Sequence, residues 1–589
     1  MHVLATQLAT LEEADAAVDL GQSPGEVVVL SFSDSDLSAL AAAWREEADV
    51  LPTLRLASLK KLRHPMSVDL HVESVLAHAK LVIVRGLGGL DYWRYGFEHI
   101  GDAARERGIL FAALPGDDRP DPRLAAVSTI AADRLARLDA YFRAGGVDNL
   151  RQALRYGASL IGRDLDAAPP VAVGPLSTIG DPADDSADGR PRALVVFYRA
   201  NLMSADIAPV TALMQALDAE GLAPRGIAVS SLKDPAVQAP LAALLAGRRP
   251  AIILNTTAFS ALRDDDTTVL DAADVPVLQV VLSGSAREAW AESGRGLAPA
   301  DLAMNVVLPE LDGRLLTRAI SFKEEAAADP RLEFGSVRHE PVADRVDYVA
   351  RLAGTWAKLG RTPRADRRLA LVLSDYPARG GRTGYAVGLD TPRSVVEILK
   401  LLRAEGYDTG GRDWRAADIE ALLAGDAEHV DIPAAALPPN LQQELDATWG
   451  APATGFRLPL LRCGKVTVLL QPDRGTPADR KSGYHDMNVP PRHAYVAVYA
   501  WLRESERIDA LVHLGTHGTL EWLPGKALAL SQECWPEVVL GALPVIYPFI
   551  VNNPGEAVQA KRRLGAVTIG HLTPPLSAAG LHGALAGME

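Results

Sequence analysis

The runs ALVVFY (Ala193–Tyr198), AIIL (Ala251–Leu254) and VLQVVL (Val277–Leu282), with Gly226–Ser230 between the first two, decide how this chain folds. Each is a short apolar run rich in β-branched residues, and an amphipathic helical pattern from about Ile207 to Glu220 follows the first of them. Strand, helix and strand repeated at this spacing predict a parallel, doubly wound sheet covered on both faces. Sheets of that kind take ligands outside the carboxyl ends of their strands. The segments that follow the strands, Arg199-Ala200-Asn201, Asn255-Thr256-Thr257 and Ser283-Gly284-Ser285, are therefore candidate ligand sites.

The same pattern extends in both directions. Upstream, EVVVLSF (Glu26–Phe32), LVIV (Leu81–Val84) and Ile109–Ala112 alternate with helical segments, so residues 1–163 read as a first α/β domain with a helical tail. Residues 164–190, rich in Pro, Gly, Asp and Ser without an apolar period, read as a linker. Residues 191–335 form the second, flavodoxin-like α/β domain. Residues 336–454 read as a helical connection and a third α/β unit, opening at LALVL (Leu369–Leu373) and followed by a polar loop, Ser374 to Asp390. Thr391 is placed to cap the next helix, with Pro392 in its first turn. From 455 to 589 Tyr, Trp and His concentrate, and this stretch reads as the start of a catalytic body. The expected fold class is thus α/β: several doubly wound parallel-sheet units with helical connections, leading into a mixed α/β body.

The length agrees with several domains, since single cores stop growing near ~250–300 residues. Sixty Lys and Arg against 74 Asp and Glu give a formal charge of -14, the wrong sign for coating nucleic acid. Two cysteines, Cys463 and Cys534, suit a reducing compartment and exclude a disulfide framework. No export signal opens the sequence, and Val538 to Val551, short and interrupted by Pro544 and Pro548, falls below a membrane span. A cytoplasmic protein with neither nucleic-acid nor membrane partners is expected.

The densest chemistry lies in LVHLGTHGTLEWLPGK (Leu511–Lys526). A strand delivers His513, a Gly-Thr-His-Gly turn delivers His517, and Glu521 follows on the first turn of an expected helix. Upstream, Tyr484-His485-Asp486 and Pro490-Pro491-Arg492-His493 add histidines and a carboxylate. Mixed imidazole and carboxylate groups can hold a divalent metal or pass protons. A lone His at a strand end is as often a satisfied core residue, but four of the 13 histidines fall between His485 and His517. The zinc-hydrolase signature requires Glu directly after the first His on a helix, whereas Leu514-Gly515-Thr516 intervene here. A phosphate-binding (Walker A) loop also fails: Ala527 follows Gly525-Lys526, Val466 follows Gly464-Lys465, and no Gly stands at the required distance.

These residues carry a family resemblance. HLGTHGTLEWLPGK (His513–Lys526), LPVIYPFIVNNPGEAVQAKRR (Leu543–Arg563), GHLTPPL (Gly570–Leu576), YHDMNVPPRHAYVAVYAWLRE (Tyr484–Glu504), VVLPELDGR (Val306–Arg314) and SDYPARGGRTGYAVGLDTP (Ser374–Pro392) resemble the large subunit of aerobic cobaltochelatase, the CobN type. They resemble the large subunit of magnesium chelatase more distantly. Asn553 and Met487 depart from the Asp and Pro common in the family. Family members are considerably longer, so the chain is expected to be an N-terminal portion.

The resemblance implies insertion of Co(II), as substrate, into hydrogenobyrinic acid a,c-diamide in cobalamin biosynthesis. ATP and Mg(II) would be handled by partners, an AAA+ ATPase subunit and a metal-ion-adhesion-domain subunit, in keeping with the missing phosphate loop. Metalation needs a transient metal site, a base for the inner N–H protons and a grip on the macrocycle. His485, Asp486, His513 and His517 are the expected metal ligands. Glu521 is the expected proton acceptor, with His513 and His517 beside it in the catalytic set. Arg492, Lys526 and Arg382 are expected to pair with peripheral carboxylates, and Trp522, Tyr484 and Tyr547 to pack on the ring. A polycarboxylate substrate also requires a locally basic pocket within an acidic whole. Two outcomes stay open for the chain by itself, catalysis or capture of the tetrapyrrole without chemistry.

Overall fold

The computed structural model describes residues 17–116, 121–180, 189–375, 383–384, 386, 388–452, 454–475, 486–516, 518–550 and 554–570. Four strands, β1 (Val27–Ser31), β2 (Leu54–Ser58), β3 (Leu81–Gly86) and β4 (Leu110–Pro115), make an all-parallel sheet in the order β2-β1-β3-β4. Every residue of β1 and β3 is buried, which is why each opens on four apolar residues, VVVL and LVIV. The strand that the pattern hid is β2, because Arg55 interrupts LRLAS. In the fold Arg55 is buried and donates to the carbonyls of Ser23 and Arg331 at 2.9 Å, pairing also with Glu333.

Arg331 and Glu333 belong to a loop of the second sheet. This sheet contains β5 (Leu176–Ile179), β6 (Arg192–Tyr198), β7 (Ala223–Val229), β8 (Ile252–Asn255), β9 (Val277–Leu282), β10 (Leu315–Glu325) and β11 (Val337–Pro341). Their order is β11-β10-β9-β8-β6-β7-β5, parallel from β10 to β7 and antiparallel at both edges. The loop between β10 and β11 buries Leu332 in the core of the first unit, so the two units share apolar surface. Both expected limits of the second domain move outward. Residues 164–190 contain β5, a four-residue edge strand with little burial and hence little apolar signal. Beyond 335, β11 pairs with β10, and helix Ala343–Arg361 packs Val346, Val349 and Ala353 against Leu213 and Leu217 of helix Ala208–Ala219.

The third sheet holds β12 (Leu369–Leu373), β13 (Glu428–Pro433), β14 (Gly455–Cys463), β15 (Val466–Leu470), β16 (Ala510–Leu514), β17 (Val545–Ile550) and β18 (Val567–Gly570). The order is β13-β14-β15-β12-β16-β17-β18, parallel from β15 to β18 with β13 and β14 antiparallel at one edge. A boundary between 454 and 455 would therefore cut one sheet. The opening strand β12 is its centre, with Leu371 and Val372 registered against Val512 and His513 of β16. Helix Thr391–Ala404 has Pro392 in its first turn, but its cap is Asp390, which accepts from the Arg393 N–H at 3.1 Å. The hydroxyl of Thr391 instead donates to the Gly384 carbonyl at 2.7 Å. Among the described residues no helix is long and apolar enough to cross a membrane.

The second and third units are clamped by one buried carboxylate. Glu537, on helix Trp535–Leu540, accepts from Arg345 at 2.6 and 2.7 Å and from Arg318 at 2.7 Å. Both guanidiniums lie beside the Tyr348 ring, at 4.4 Å for Arg318 and 5.7 Å for Arg345. A second bidentate pair joins Arg562 to Glu310 at 2.8 Å. Removing one partner of a buried pair strands the other charge, so Glu537→Gln is expected to destabilise the contact between these units by about 3–5 kcal/mol. Urea unfolding and hydrogen exchange along helix Ala343–Arg361 check it, and Arg562→Gln, at a more exposed pair, is expected to cost less.

Candidate functional site

The carboxyl ends of the second sheet, expected to receive a ligand, are closed by the protein's own side chains. Asn255 donates to Gln279 Oε1 at 2.9 Å and to the Thr257 carbonyl at 3.0 Å, and Arg314 donates to Gln279 at 3.1 Å. Asp312 accepts from Ser260 and the Ala261 N–H, and Asp301 accepts from Ser283 at 2.7 Å and the Gly284 N–H. Asp312 and Arg314 belong to the VVLPELDGR run, so two of its polar residues close this end of the sheet.

The third sheet is arranged differently. Connections leave β12 toward β15 on one side and return to β16 on the other, which makes the carboxyl ends of these strands a topological switch point. Three polar residues meet there. His513, near the end of β16, is fully buried; its Nδ1 lies 3.2 Å from Ser374 Oγ after β12, and its Nε2 lies 3.0 Å from the Gln471 amide after β15. The Gln471 amide nitrogen also donates to Tyr495 at 2.9 Å and Tyr499 at 2.7 Å, two phenols four residues apart on one face of helix His493–Glu504. Burial holds both phenols above their usual range, well above for Tyr495.

Glu521 lies beside this group, on a single 3-10 turn, Leu520–Trp522, rather than on the longer helix expected. Its carboxylate is fully buried, accepting from Tyr547 at 3.0 and 3.1 Å and from the Gly518 N–H at 3.2 Å. Tyr547, from β17, stacks on His513 with ring centroids 4.9 Å apart and planes 12° apart. Glycine is required at 518, where a Cβ would come 2.2 Å from the Tyr547 hydroxyl and 2.8 Å from His513 Cε1, and at 515, where it would meet Ser374 at 2.4 Å. Two buried guanidiniums brace the turn from the other side. Arg563 donates to the Glu521 carbonyl and, at 3.1 Å, to that of Lys526; Arg474 donates to the Trp522 carbonyl at 3.0 Å. Burial brings the Arg563 guanidinium down to about 10.

Of the remaining expected residues, Asp486 and Trp522 are bridged by Arg474, which donates to both of their carbonyls. Asp486 is half-buried and accepts from the Asn488 N–H at 2.9 Å. Arg492 is exposed with its guanidinium 5.7 Å from the Trp449 ring centroid. Trp522 is half-buried and donates to Glu556 at 2.8 Å. Two assignments change. Lys526 donates to the carbonyls of Trp290, Ala291 and Ser293 at 2.8, 2.7 and 3.0 Å, so its ammonium caps the end of helix Arg287–Glu292 instead of meeting a ring carboxylate. Tyr547 is fully buried and faces His513 and Glu521 instead of an open ring surface. His485, His517, Tyr484 and Arg382 lie outside the described residues, as does Asn553. Among the described residues no three His, Cys, Asp or Glu side chains come together as a metal set. Ser374, Gln471, Tyr495, Tyr499, Arg474 and Arg563 were not foreseen. A lone Gln ending VTVLLQ and two Tyr at helical spacing were the signals available.

The family model described as CobN/Magnesium Chelatase matches residues 139–589. A Sinorhizobium protein called aerobic cobaltochelatase subunit CobN is 43% identical over 100% of this chain and 50% of its own length, and the Pseudomonas aeruginosa protein of that name is 42% identical with the same coverage. The H subunit of magnesium chelatase from Rhodobacter capsulatus is 30% identical over 76% of this chain and 41% of its own. Among solved structures, the catalytic subunit of cobaltochelatase from Mycobacterium tuberculosis superposes with a TM-score of 0.78 at 33% identity, covering 95% of this chain and 49% of that one. The chain thus spans about half the length of the cobalt relatives it matches.

A methyl group at 518 has to displace the Tyr547 hydroxyl, the His513 ring or both. Gly518→Ala is therefore expected to cost about 1–3 kcal/mol of stability, as overpacked cores do. Denaturant unfolding measures the cost, and the near-ultraviolet circular dichroism of the buried tyrosines reports the displacement.

Proposed function

This chain belongs to the CobN/magnesium chelatase family, and from that membership we propose that it forms the tetrapyrrole-binding and metal-inserting part of a cobaltochelatase large subunit. In this reading Co(II) enters hydrogenobyrinic acid a,c-diamide in an ATP-dependent step of cobalamin biosynthesis. The observation that carries it is the buried Glu521 carboxylate at the switch point of the third sheet, accepting from the Tyr547 phenol on a turn whose carbonyls are braced by Arg563 and Arg474. Cobalt over magnesium is supported by the closer likeness to the cobalt-named relatives across the whole chain.

The chemistry divides among the residues accordingly. A corrin binds its metal as a monoanion, so one inner N–H proton must leave the macrocycle as Co(II) enters, and Glu521 is the group that accepts it. Asp486, with His485 and His517, delivers Co(II): imidazole and carboxylate ligands bind this ion without the retention that several thiolates would impose. His513 has both ring nitrogens against protein partners, so its part is to back the site. Arg492, exposed at the start of helix His493–Glu504, meets peripheral carboxylates together with Arg382, while Trp522 and Tyr484 pack on the ring. ATP and Mg(II) belong to an AAA+ ATPase and a metal-ion-adhesion-domain subunit, a division supported by the lack of Walker A spacing in this sequence. Two buried free thiols are compatible with a cytoplasmic setting.

Glu521→Gln in the full-length subunit, assayed with both partner subunits, ATP, Co(II) and the metal-free corrin, is expected to lower the insertion rate by about 100-fold or more while leaving corrin affinity within about twofold. An unchanged rate removes Glu521 as the proton acceptor. The half-length coverage of the cobalt relatives favours a second reading, in which residues 1–589 capture the tetrapyrrole without completing insertion. Fluorescence titration of this chain with the metal-free corrin decides between them: saturable binding without turnover supports capture, and metalation once ATP, Co(II) and partners are added supports the full reaction.

A further inference from the structure

The buried polar groups around Glu521 form a closed circuit. Glu521 accepts from Tyr547, Tyr547 stacks on His513, His513 meets the Gln471 amide, Gln471 donates to Tyr495, and Tyr495 bonds Thr519 Oγ1 at 3.0 Å. Thr519 is two residues before Glu521 in the chain, so the loop closes through the backbone of the turn itself. His513, Thr519, Glu521, Gln471, Tyr495 and Tyr547 are all buried, and apart from that backbone closure every link but one is a hydrogen bond. The exception is the stack of Tyr547 on His513, two flat rings whose strands pair side by side, Val512 against Ile546.

We propose that Tyr547 is a positioning residue for Glu521, and that the circuit exists to hold its phenol at both carboxylate oxygens at once. The inference rests on the reading of Glu521 as the proton acceptor. A terminal carboxylate torsion is broad and two-fold, so an unpinned Glu521 would turn between orientations. One phenol proton shared between oxygens at 3.0 and 3.1 Å restricts that rotation, and β17 cannot carry Tyr547 away because Tyr547 is registered against Thr568 on one side and its neighbour Ile546 against Val512 on the other. His513 is the plate behind the ring: Ser374 and Gln471 hold its two nitrogens, and the Gly518 backbone closes the third side, too near for any Cβ. The same pinning, together with the Gly518 N–H on one carboxylate oxygen, fixes the plane of the carboxylate, and misplacement of a reacting group by a small angle is enough to slow a proton transfer.

Tyr547→Phe keeps the ring, its stacking and its volume and deletes only the hydroxyl. In the full-length subunit with its partners, this variant is expected to lower kcat by about ten- to a hundredfold with KM for the corrin within about twofold. Acting through Glu521, it is expected to add nothing further to Glu521→Gln, so the double variant should match the Glu521→Gln rate. A double variant slower by the product of the two single effects, or a Tyr547→Phe enzyme at the wild-type rate, overturns the proposal. Thr519→Val opens the circuit on its other arm without touching Tyr547 and is expected to show the same coupling to Glu521→Gln, which supplies the test if Tyr547→Phe does not fold. Infrared carboxylate bands, assigned by their loss in Glu521→Gln, separate the two ideas. A band shift in Tyr547→Phe supports the contact even where Glu521→Gln is fully active and the base assignment has failed; an unshifted band overturns the contact whatever the rates.

Discussion

Glu537 is the residue on which the arrangement of the molecule turns. Its carboxylate takes Arg345 from the long helix of the second unit and Arg318 from strand β10, and it sits on the helix that follows the Glu521 turn. Around it the segment from Lys526 to Leu530 is laid on the second unit. Lys526 caps a helix end, the Trp290 indole donates to the Ala529 carbonyl at 2.8 Å, and the Ala527 N–H donates to the Gly294 carbonyl at 2.9 Å. A Cβ on Gly296 would lie 2.0 Å from the Leu528 carbonyl oxygen, so the two segments touch backbone to side-chain position with no room for substitution. The second unit, with its own ligand crevice sealed, therefore serves as the rigid base against which the turn of the third unit is set.

That base lets a carboxylate be buried at all. A fully buried charge is costly unless its lone pairs are met and opposite charge is near. For Glu521 a phenol and a backbone N–H meet the oxygens, and the guanidinium of Arg563 lies beneath the turn on the carbonyls of residues 521 and 526. Arg563 keeps one guanidinium nitrogen, Nη2, without an acceptor among the described residues. Its cost is consistent with a group retained for what it holds in place, since a Lys there would lack the fork that reaches two carbonyls five residues apart.

Much of this was legible in the residues, and the misreadings share a cause. β6, β8 and β9 stood out because strands buried on both faces are dominated by apolar residues, even with Gln279 inside β9, whereas β2 was hidden by Arg55 and β5 by its brevity at an edge. The linker reading of 164–190 and the cut at 454 failed for one reason: an edge strand or a distant central strand is defined by its partner, and partners such as β12 and β16 are far apart in sequence. Lys526 looked like a free cation because nothing in its neighbours announces three carbonyls from residues 290 to 293.

The sequence by itself determined the class of fold, the family and the short segment where chemistry concentrates, because apolar periodicity and the HLGTHGTLEWLPGK run are local properties of the chain. Only the tertiary structure decided which of those residues meet. Ser374, Gln471 and His513 end three strands that lie side by side, and Tyr547 arrives on a fourth. Hydrogen bonds act over about 3 Å, so the partners of a buried side chain are chosen by strand order and register, neither of which is written in any single stretch of sequence.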